Sequence, residues 1–256
     1  MEKISSRKNR IICHMRAVAS DPAYRSEVGQ FICDGEKTLR EAIEYGAEIV
    51  QVLWREGAHT DELPPETEQY CAPADLVEYA SPLKSGPGPV FTVKIPQQSR
   101  DERIMRAIVI ENLQDPGNVG TIIRSANAFD IDTVIMVGAC ADLYNPKTVQ
   151  ATMGGIARVR VHYTSLPDFI RSQSKEIPVF GTFLDGQNMY EQPLAANGLI
   201  VMGNEGNGIG KEVEALINRK LYIPNYPQGQ ETSESLNVAI ATAVICAEFR
   251  RQAAWK

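Results

Sequence analysis

The sequence predicts an α/β protein whose larger, C-terminal part is a parallel sheet covered by helices. Five short apolar runs alternate with segments of helical periodicity, at 107–110, 133–137, 179–183, 199–203 and 221–223. Runs that are apolar at every position are typical of strands buried on both faces, and the alternation with helices favours parallel pairing. The 256 residues, 43% of them hydrophobic, suffice for one large core or two modest ones.

A smaller α/β domain is predicted ahead of this sheet. Its strands are expected at 31–34, 50–54 and 90–95, and its helices at 36–45 and 73–79. A polar stretch after Pro96 separates the two differently patterned regions. We therefore expect a basic helix and the small domain at residues 1–96, a linker at 97–104 and the main domain at 105–256.

Charge is distributed unevenly along the chain. The net charge of −6 weighs against wrapping long stretches of nucleic acid, because phosphate contacts normally need a basic surface. Cations nevertheless crowd the opening segment, namely Lys3, Arg7, Lys8, Arg10, Arg16 and Arg25. This asymmetry is compatible with a local contact to a nucleic-acid backbone and equally with a solvated helix face.

Cysteine, histidine and hydropathy patterns argue against several classes of protein. The five cysteines are scattered without a Cys-x-x-Cys pair, which fits reduced thiols in a cytoplasm. The three histidines stand far apart, so no metal is expected. No apolar run reaches the length of a membrane span. We expect a soluble, cytoplasmic protein with no membrane partner.

The first motif spans 111–129, directly after a predicted strand. Its turn Asp115-Pro116-Gly117 leads to Asn118, a candidate helix cap. An apolar stripe at helical spacing follows, formed by Val119, Ile122, Ile123 and Ala126. At about 100° per residue, Arg124 falls nearly opposite this stripe and is free to meet a ligand. Taken alone, the pattern also fits an ordinary exposed arginine.

The second motif, Gly203-Asn204-Glu205-Gly206-Asn207-Gly208, follows another predicted strand. Glycines permit positive φ and let backbone amides approach a ligand closely. The motif is neither Gly-x-Gly-x-x-Gly nor a phosphate loop with Lys-Ser/Thr. By itself it is compatible with a simple turn.

The third motif runs from Tyr222-Ile223-Pro224-Asn225 to Ser233-Glu234-Ser235-Leu236-Asn237-Val238. A helical stripe at its end predicts a long final helix, through Leu236, Ile240, Ala243, Val244 and Ala247. Ser233 or Ser235 is the candidate cap, and Asn237 is expected in the first turn. Capping alone would also explain these residue types.

Together and in this order, the three motifs resemble those of the SpoU or TrmH family within the SPOUT class of RNA methyltransferases. The resemblance covers about 103–256, while 31–95 is similar to the small ribosomal-protein-like RNA-binding domain of many relatives. It implies a trefoil-knotted domain, a homodimer with active sites at the interface, and transfer of a methyl group from S-adenosyl-L-methionine to a ribose 2′-hydroxyl in structured RNA. Ribosomal RNA is the expected substrate and transfer RNA the alternative.

The resemblance also implies roles for individual residues. The catalytic set would be Asn118, Arg124, Glu205, Ser235 and Asn237, and the cofactor would contact Thr182, Gly203, Ile223 and Leu236. A guanidinium group seldom gives up its proton. We therefore expect Arg124 to contact the phosphate beside the target nucleotide and to stabilise the developing alkoxide, while phosphate or water takes the proton. The alternative is the role that the resemblance implies, in which a deprotonated Arg124 is the general base.

Two other functions stay open at this stage. A non-catalytic RNA-binding protein could keep the same fold, although retention of the full motif set weighs against it. A dinucleotide-dependent oxidoreductase would fit the alternation of strands and helices, but the chain lacks the glycine fingerprint of that class.

Overall fold

The chain forms two compact units. The first comprises Met1–Gln97 and Asp142–Arg158, and the second Gln98–Ala141 and Val159–Lys256. The computed structural model describes residues 1–58, 62–83, 88–97, 106–172, 177–227 and 236–254. The units are not consecutive in sequence, since Asp142–Arg158, which the predicted bounds place in the main domain, belongs to the first unit.

A mixed five-stranded sheet forms the first unit. Its strands are β1 (Glu2–Lys3), β2 (Gln30–Asp34), β3 (Ile49–Arg55), β4 (Glu68–Ala72) and β5 (Val90–Lys94), in the order β1-β4-β3-β5-β2. Strands β1, β4 and β3 run parallel, whereas β5 pairs antiparallel with β3 and β2. Its helices are α1 (Arg10–Ser20), α2 (Pro22–Val28), α3 (Glu36–Glu44), α4 (Ala74–Ala80) and α6 (Pro146–Ala151).

Helix α1 illustrates how the sequence directs this unit to fold. Asn9 caps it, because the Asn9 side chain accepts a hydrogen bond from the Ile11 amide at 2.8 Å. One helix face is buried in the unit's core, through Ile11, Ile12, Met15 and Val18. Burying a side chain of this size contributes about 1.5–3 kcal/mol, so packing of this face dominates the helix's stability.

The segment Asp142–Arg158 completes the first unit. Val149 of α6 is 3% exposed and belongs to a core cluster that includes Phe31. The ring of Tyr144 packs on that of Phe31, with centroids 4.9 Å apart. Arg158 forms an ion pair with Glu41. The segment is therefore part of this unit's hydrophobic core rather than a surface loop.

A fully parallel six-stranded sheet forms the second unit, in the order β11-β9-β10-β6-β7-β8. The strands are β6 (Arg106–Glu111), β7 (Thr133–Val137), β8 (Arg160–Tyr163), β9 (Val179–Asn188), β10 (Gly198–Met202) and β11 (Arg219–Tyr222). The predicted α/β class with a parallel sheet is confirmed. Strand β8 escapes prediction because it is a half-exposed edge strand and lacks the continuous apolar run.

Four helices accompany this sheet among the described residues: α5 (Pro116–Ala128), α7 (Leu166–Ser172), α8 (Lys211–Glu214) and α9 (Val238–Ala254). The apolar stripe predicted for α5 is fully buried, with Val119, Ile122, Ile123 and Ala126 each 0% exposed. Helix α9 packs against α5. Within the described ranges, no helix is long and apolar enough to cross a membrane.

Helix α9 packs through a different face from the stripe seen in the sequence. Its buried residues are Val238, Ala239, Thr242, Ile245, Cys246, Glu248 and Phe249. Of the predicted stripe, Ile240 is 56% exposed, Ala247 is exposed, and Ala243 and Val244 are half-buried. The helix thus carries a second apolar face that is turned away from the unit's own core.

Candidate functional site

The three motifs follow strands that end at one edge of the parallel sheet. Strands β9, β10 and β6 are adjacent, and Met202 lies opposite Ile110 while Val201 lies opposite Gly181. The carboxyl ends of parallel strands meet at the same edge, where α/β proteins bind their ligands. The loop clusters after β6, β10 and β11 therefore form the candidate site.

At this edge, strand β9 loses its regular pairing with β11. Lys220 pairs with Gly181, but the next pair joins Leu221 to Gln187, so residues 182–186 bulge out of the ladder. A Cβ atom at Gly186 would lie 2.5 Å from the carbonyl carbon of Leu221, which leaves room only for glycine. The predicted cofactor residue Thr182 begins this bulge.

The loop after β10 is rigidly closed on itself. Asn204 and Gly208 exchange two backbone hydrogen bonds, at 2.9 and 2.8 Å. The side chain of Asn204 accepts from the amide of Gly206 at 2.9 Å and donates to the Asn112 carbonyl at 2.8 Å. A Cβ atom at Gly203 would lie 2.3 Å from the Gly208 carbonyl carbon, so the loop requires glycine there.

Three side chains, one from each motif, meet in a hydrogen-bonded group. Asn118 donates through Nδ2 to Glu205 Oε1. Asn237 donates through Nδ2 to Asn118 Oδ1 at 3.1 Å and to Glu205 Oε1 at 3.4 Å. We call Asn118, Glu205 and Asn237 the amide–carboxylate cluster. The fold thus joins residues that are up to 119 positions apart in sequence.

The orientation of both amides follows from the hydrogen bonds around them. Asn237 Oδ1 accepts from the backbone amides of Ala239 at 2.9 Å and Ile240 at 3.3 Å, at the start of α9. Because this oxygen is engaged, Asn237 must donate to the cluster through Nδ2. Asn118 then accepts from Asn237 and donates to Glu205, so the hydrogen bonds of the cluster run in one direction, from Asn237 through Asn118 to Glu205.

The structure corrects two capping predictions. Asp115, not Asn118, caps α5: its carboxylate accepts from the Asn118 amide at 2.8 Å. Asn118 lies in the first turn, which leaves its side chain available to the cluster. Asn237 is itself the cap of α9 rather than a first-turn residue. The predicted site residue Ser235 and the alternative cap Ser233 lie outside the described residues.

Arg124 is exposed on α5, opposite the buried stripe. Its side chain makes no hydrogen bond or ion pair with any of the residues that the structure describes, including those of the amide–carboxylate cluster. Within one chain, the structure therefore brings together Asn118, Glu205 and Asn237 but leaves Arg124 apart from them.

The four predicted cofactor residues lie on the loops around this edge. Thr182, Gly203 and Ile223 are half-buried, and Leu236 is 48% exposed next to the cluster residue Asn237. Thr182 lies in β9 directly after Gly181, the residue that pairs with Val201 of β10. Gly203 directly follows β10, and Ile223 directly follows β11. None of these four residues carries a charged side chain. Such a surface fits an uncharged nucleoside with an amino-acid tail better than it fits a polyphosphate.

Two residues that the sequence analysis left without a role anchor the loops. Glu111 is 7% exposed, and its Oε2 accepts from the Gly210 amide at 2.8 Å. Asn112 Oδ1 accepts from the Ala139 amide at 2.8 Å. The end of β6 is thereby tied to the loops after β10 and β7. In the sequence, the signal for this role was an acidic residue followed by an amide residue directly after a predicted buried strand.

The site's chemistry depends on positioned polar groups. Cys140 lies nearby, but burial raises the pKa of its thiol, and its sulfur contacts the carbonyls of Ile110 and Val137 at 3.6 and 3.4 Å. It is therefore a protonated structural thiol rather than a nucleophile. Across the described ranges, no group of three or more His, Cys, Asp or Glu side chains could hold a metal ion.

The fold and the cluster define an α/β protein with hydrogen-bonding side chains at the carboxyl edge of a six-stranded parallel sheet. The profile of the SpoU rRNA Methylase family matches residues 105–247. The chain belongs to this family, and the family predicted from the sequence is confirmed.

Relatives align with nearly the whole chain. RlmP of Bacillus subtilis, a 23S rRNA (guanosine(2553)-2′-O)-methyltransferase, is 26% identical and aligns with 98% of this chain and 100% of its own. The solved structure of a candidate TrmH-family RNA methyltransferase from Porphyromonas gingivalis is 33% identical, with a TM-score of 0.82 over 94% of this chain and 97% of its own. AviRb from Streptomyces viridochromogenes, solved with AdoMet, is 22% identical, with a TM-score of 0.84 over 96% and 99%.

Proposed function

We propose that this chain transfers a methyl group from S-adenosyl-L-methionine to a ribose 2′-hydroxyl of ribosomal RNA. Membership of the SpoU family supports the enzyme class and cofactor that the sequence predicts. The observation that carries the proposal is the amide–carboxylate cluster, because it joins one residue of each motif at the ligand-binding edge of the sheet. Ribosomal RNA is preferred because the relatives RlmP and the Streptomyces viridochromogenes enzyme are named as 23S rRNA methyltransferases.

The cofactor supplies a methyl group on a positively charged sulfur that leaves as a neutral thioether. The chain's task is to hold two reactants in line, which can provide much of the rate without a metal. Thr182, Gly203, Ile223 and Leu236 would hold the adenosine and amino-acid parts of the cofactor. The closed loop at Gly203 is suited to this, since its backbone is already fixed.

The amide–carboxylate cluster would orient the reacting groups. Glu205 accepts two amide hydrogen bonds on Oε1, so its carboxylate has a fixed direction, and no described residue donates to Oε2. That second oxygen is the atom available to a substrate hydroxyl or to a cation. A preorganised acceptor of this kind needs no rearrangement when charge develops during the reaction.

Arg124 would contact the phosphate beside the target nucleotide and stabilise the alkoxide that forms on the ribose as the hydroxyl proton passes to the phosphate or to water. Its exposure and the absence of a described partner support this assignment. Arg124→Ala should keep the affinity for S-adenosylhomocysteine and the melting temperature, while methyl transfer falls by about two orders of magnitude or more. Arg124→Lys should recover little, because an ammonium lacks the planar fork. Near-normal turnover of Arg124→Ala would refute the assignment.

A homodimer is part of the proposal. The outer face of α9 carries Ile240, Ala243, Val244 and Ala247 at helical spacing, and a second copy of the chain would cover it. Such a dimer would let Arg124 of one copy approach the other copy's cluster. Ile240→Glu should therefore yield a monomer with little activity in sedimentation and methyl-transfer assays, whereas Tyr190→Glu, at another exposed hydrophobic side chain, should stay dimeric. A dimeric, active Ile240→Glu variant would refute this interface.

Three further features of the sequence-based prediction belong to the proposal. Residues 1–96 would bind RNA ahead of the methyltransferase domain at 105–256, with 97–104 as linker. The parallel domain would contain the trefoil knot that the family resemblance implies. The enzyme would act in the cytoplasm, where ribosomal RNA is made in bacteria such as the organism of RlmP.

The test is methyl transfer in vitro from radiolabelled S-adenosyl-L-methionine to unmethylated ribosomal RNA, with transfer RNA as the comparison. Methylation of a 2′-hydroxyl protects the adjoining phosphodiester from alkali, so label should appear in alkali-resistant dinucleotides. Label in mononucleotides would indicate base methylation. Label only in transfer RNA would show that transfer RNA, rather than ribosomal RNA, is the substrate. Absence of label in any RNA, with cofactor bound, would favour a non-catalytic binding protein.

A further inference from the structure

We propose that Arg7, Arg16 and Tyr79 form a binding site for the phosphodiester backbone of the RNA substrate. The guanidinium carbons of Arg7 and Arg16 lie 4.7 and 5.2 Å from the centroid of the Tyr79 ring. Neither arginine has a carboxylate partner among the residues that the structure describes. Two cations gathered at one ring repel each other, and an anion bound between them removes that repulsion.

The position of helix α1 adds a second, independent reason. Arg7, Lys8 and Arg10 lie at the start of this 11-residue helix, whose first turn contains no acidic residue. A helix N-terminus carries partial positive charge, so cations there are unfavourable for the folded chain. An anionic ligand at this end would interact favourably with the helix and with all three side chains.

The site is held in place before any ligand arrives. Arg7 lies shortly before Asn9, the cap of α1, and its carbonyl accepts a contact from the Cys13 thiol at 3.6 Å. Tyr79 lies on α4, whose Leu76 and Ala80 are buried in the same core cluster as the apolar face of α1. Loop, helix and ring are therefore fixed by packing of the first unit.

Two other cations of the opening segment, Lys3 and Arg25, form ion pairs within the first unit and do not belong to this site. Lys3 pairs with Glu56 at 2.8 Å. Arg25 is 3% exposed and donates to Asp142 at 2.6 Å, so it holds the fold together and is closed to a ligand. The basic surface is thus confined to Arg7, Lys8, Arg10 and Arg16, all of which are exposed.

The chemistry of the site favours an RNA backbone. A guanidinium fork matches two phosphate oxygens, and two such forks can bracket one phosphate or two successive ones. The Tyr79 ring is 39% exposed, which leaves surface for a base or ribose next to the bound phosphate. This inference rests on the proposed function, because it names where the same RNA contacts the first unit.

The test compares two charge-matched double variants of the full chain. Arg7→Gln/Arg16→Gln removes the site, while Arg40→Gln/Lys94→Gln removes two cations of the same unit that are paired with Glu36 and Glu48. Binding to unmethylated ribosomal RNA is measured over a range of salt concentrations. The site variant should lower the slope of log K against log salt by about 2, and the control should leave it nearly unchanged.

Ring variants and kinetics complete the test. Tyr79→Leu should weaken RNA binding and Tyr79→Phe should not, because the ring positions the two arginines. In methyl transfer, the site variant should raise KM for RNA with kcat and S-adenosylhomocysteine affinity preserved. An unchanged salt slope in an active enzyme would overturn the site while leaving the proposed function intact. A lowered slope without methyl transfer by the wild type would support the site and refute the proposed function.

Discussion

Replacing Asn237 separates its two roles, as cap of α9 and as donor in the amide–carboxylate cluster. Asn237→Ala removes both. Loss of a helix cap costs about 1 kcal/mol, within a range of about 0.5–2. For a chain of this size, a change of about 1 kcal/mol moves Tm by about 2–4 °C. We therefore expect Asn237→Ala to lower Tm by a few degrees and to lower methyl transfer as well.

The matched variant is Asn237→Ser. Serine keeps an oxygen that accepts from the amides of Ala239 and Ile240, so Tm should stay near that of the wild type. Its side chain is too short to replace Nδ2, so Asn118 and Glu205 lose a donor. Hydrogen bonds to charged groups contribute about 1.5–3 kcal/mol, and if that difference falls on the transition state, kcat drops about 10- to 100-fold.

Differential scanning calorimetry and steady-state methyl transfer to ribosomal RNA give the two readouts. The reasoning requires the alanine variant to lose stability and activity, and the serine variant to lose mainly activity. A serine variant with wild-type kcat would refute the positioning role of the cluster. An alanine variant with unchanged Tm would refute the cap.

Three further predictions follow from other parts of the chain. Glu205→Gln keeps an oxygen for both amides, so its kcat should exceed that of Glu205→Ala in single-turnover assays, and equal losses would show that the cluster's geometry is irrelevant. Burial raises the pKa of Cys246 to about 12 from an ordinary 9.0. The stability contributed by its neutral thiol is therefore complete below pH 9 and is lost as the pH rises toward 12. Between pH 8 and 10, Tm of the wild type should fall more steeply than that of Cys246→Ala, and parallel curves would contradict this. Arg25→Ala removes a buried cation paired with Asp142 and should lower the free energy of unfolding in urea by about 2–4 kcal/mol. The exposed Arg40→Ala should lower it by at most about 0.5 kcal/mol. An Arg25→Ala variant as stable as the wild type would show that the Arg25–Asp142 pair does not stabilise the first unit.

The parallel sheet could be predicted because burial on both faces leaves a direct trace in sequence. Strands such as β7 and β10 are buried at every position and consist almost entirely of apolar residues. Partly exposed strands leave no such trace: β8 and β4 mix buried with exposed or half-buried positions, and β1 has only two residues. The place of Asp142–Arg158 in the first unit could not be predicted either, since tertiary packing, not local pattern, decides it.

The candidate site was predictable only as a combination of motifs. Periodicity alone assigned Asn118 and Asn237 only to the starts of helices, because the same residue types serve as helix caps and as ligand-binding residues. Asp115 caps the helix instead of the predicted Asn118, because Pro116 occupies the first helical position, where proline is favoured. Which side chains meet Glu205 depends on the adjacency of strands that are distant in sequence, and no local rule supplies it.

The central claim is that the chain methylates a ribose of ribosomal RNA through Arg124 and the amide–carboxylate cluster. The most direct measurement maps 2′-O-methyl groups in ribosomal and transfer RNA from cells that lack the gene, restored with either wild type or Arg124→Ala. The account predicts that one ribosomal 2′-O-methyl group disappears on deletion, returns with the wild type and stays absent with Arg124→Ala. An unchanged 2′-O-methyl map after deletion, or full restoration by Arg124→Ala, would contradict it.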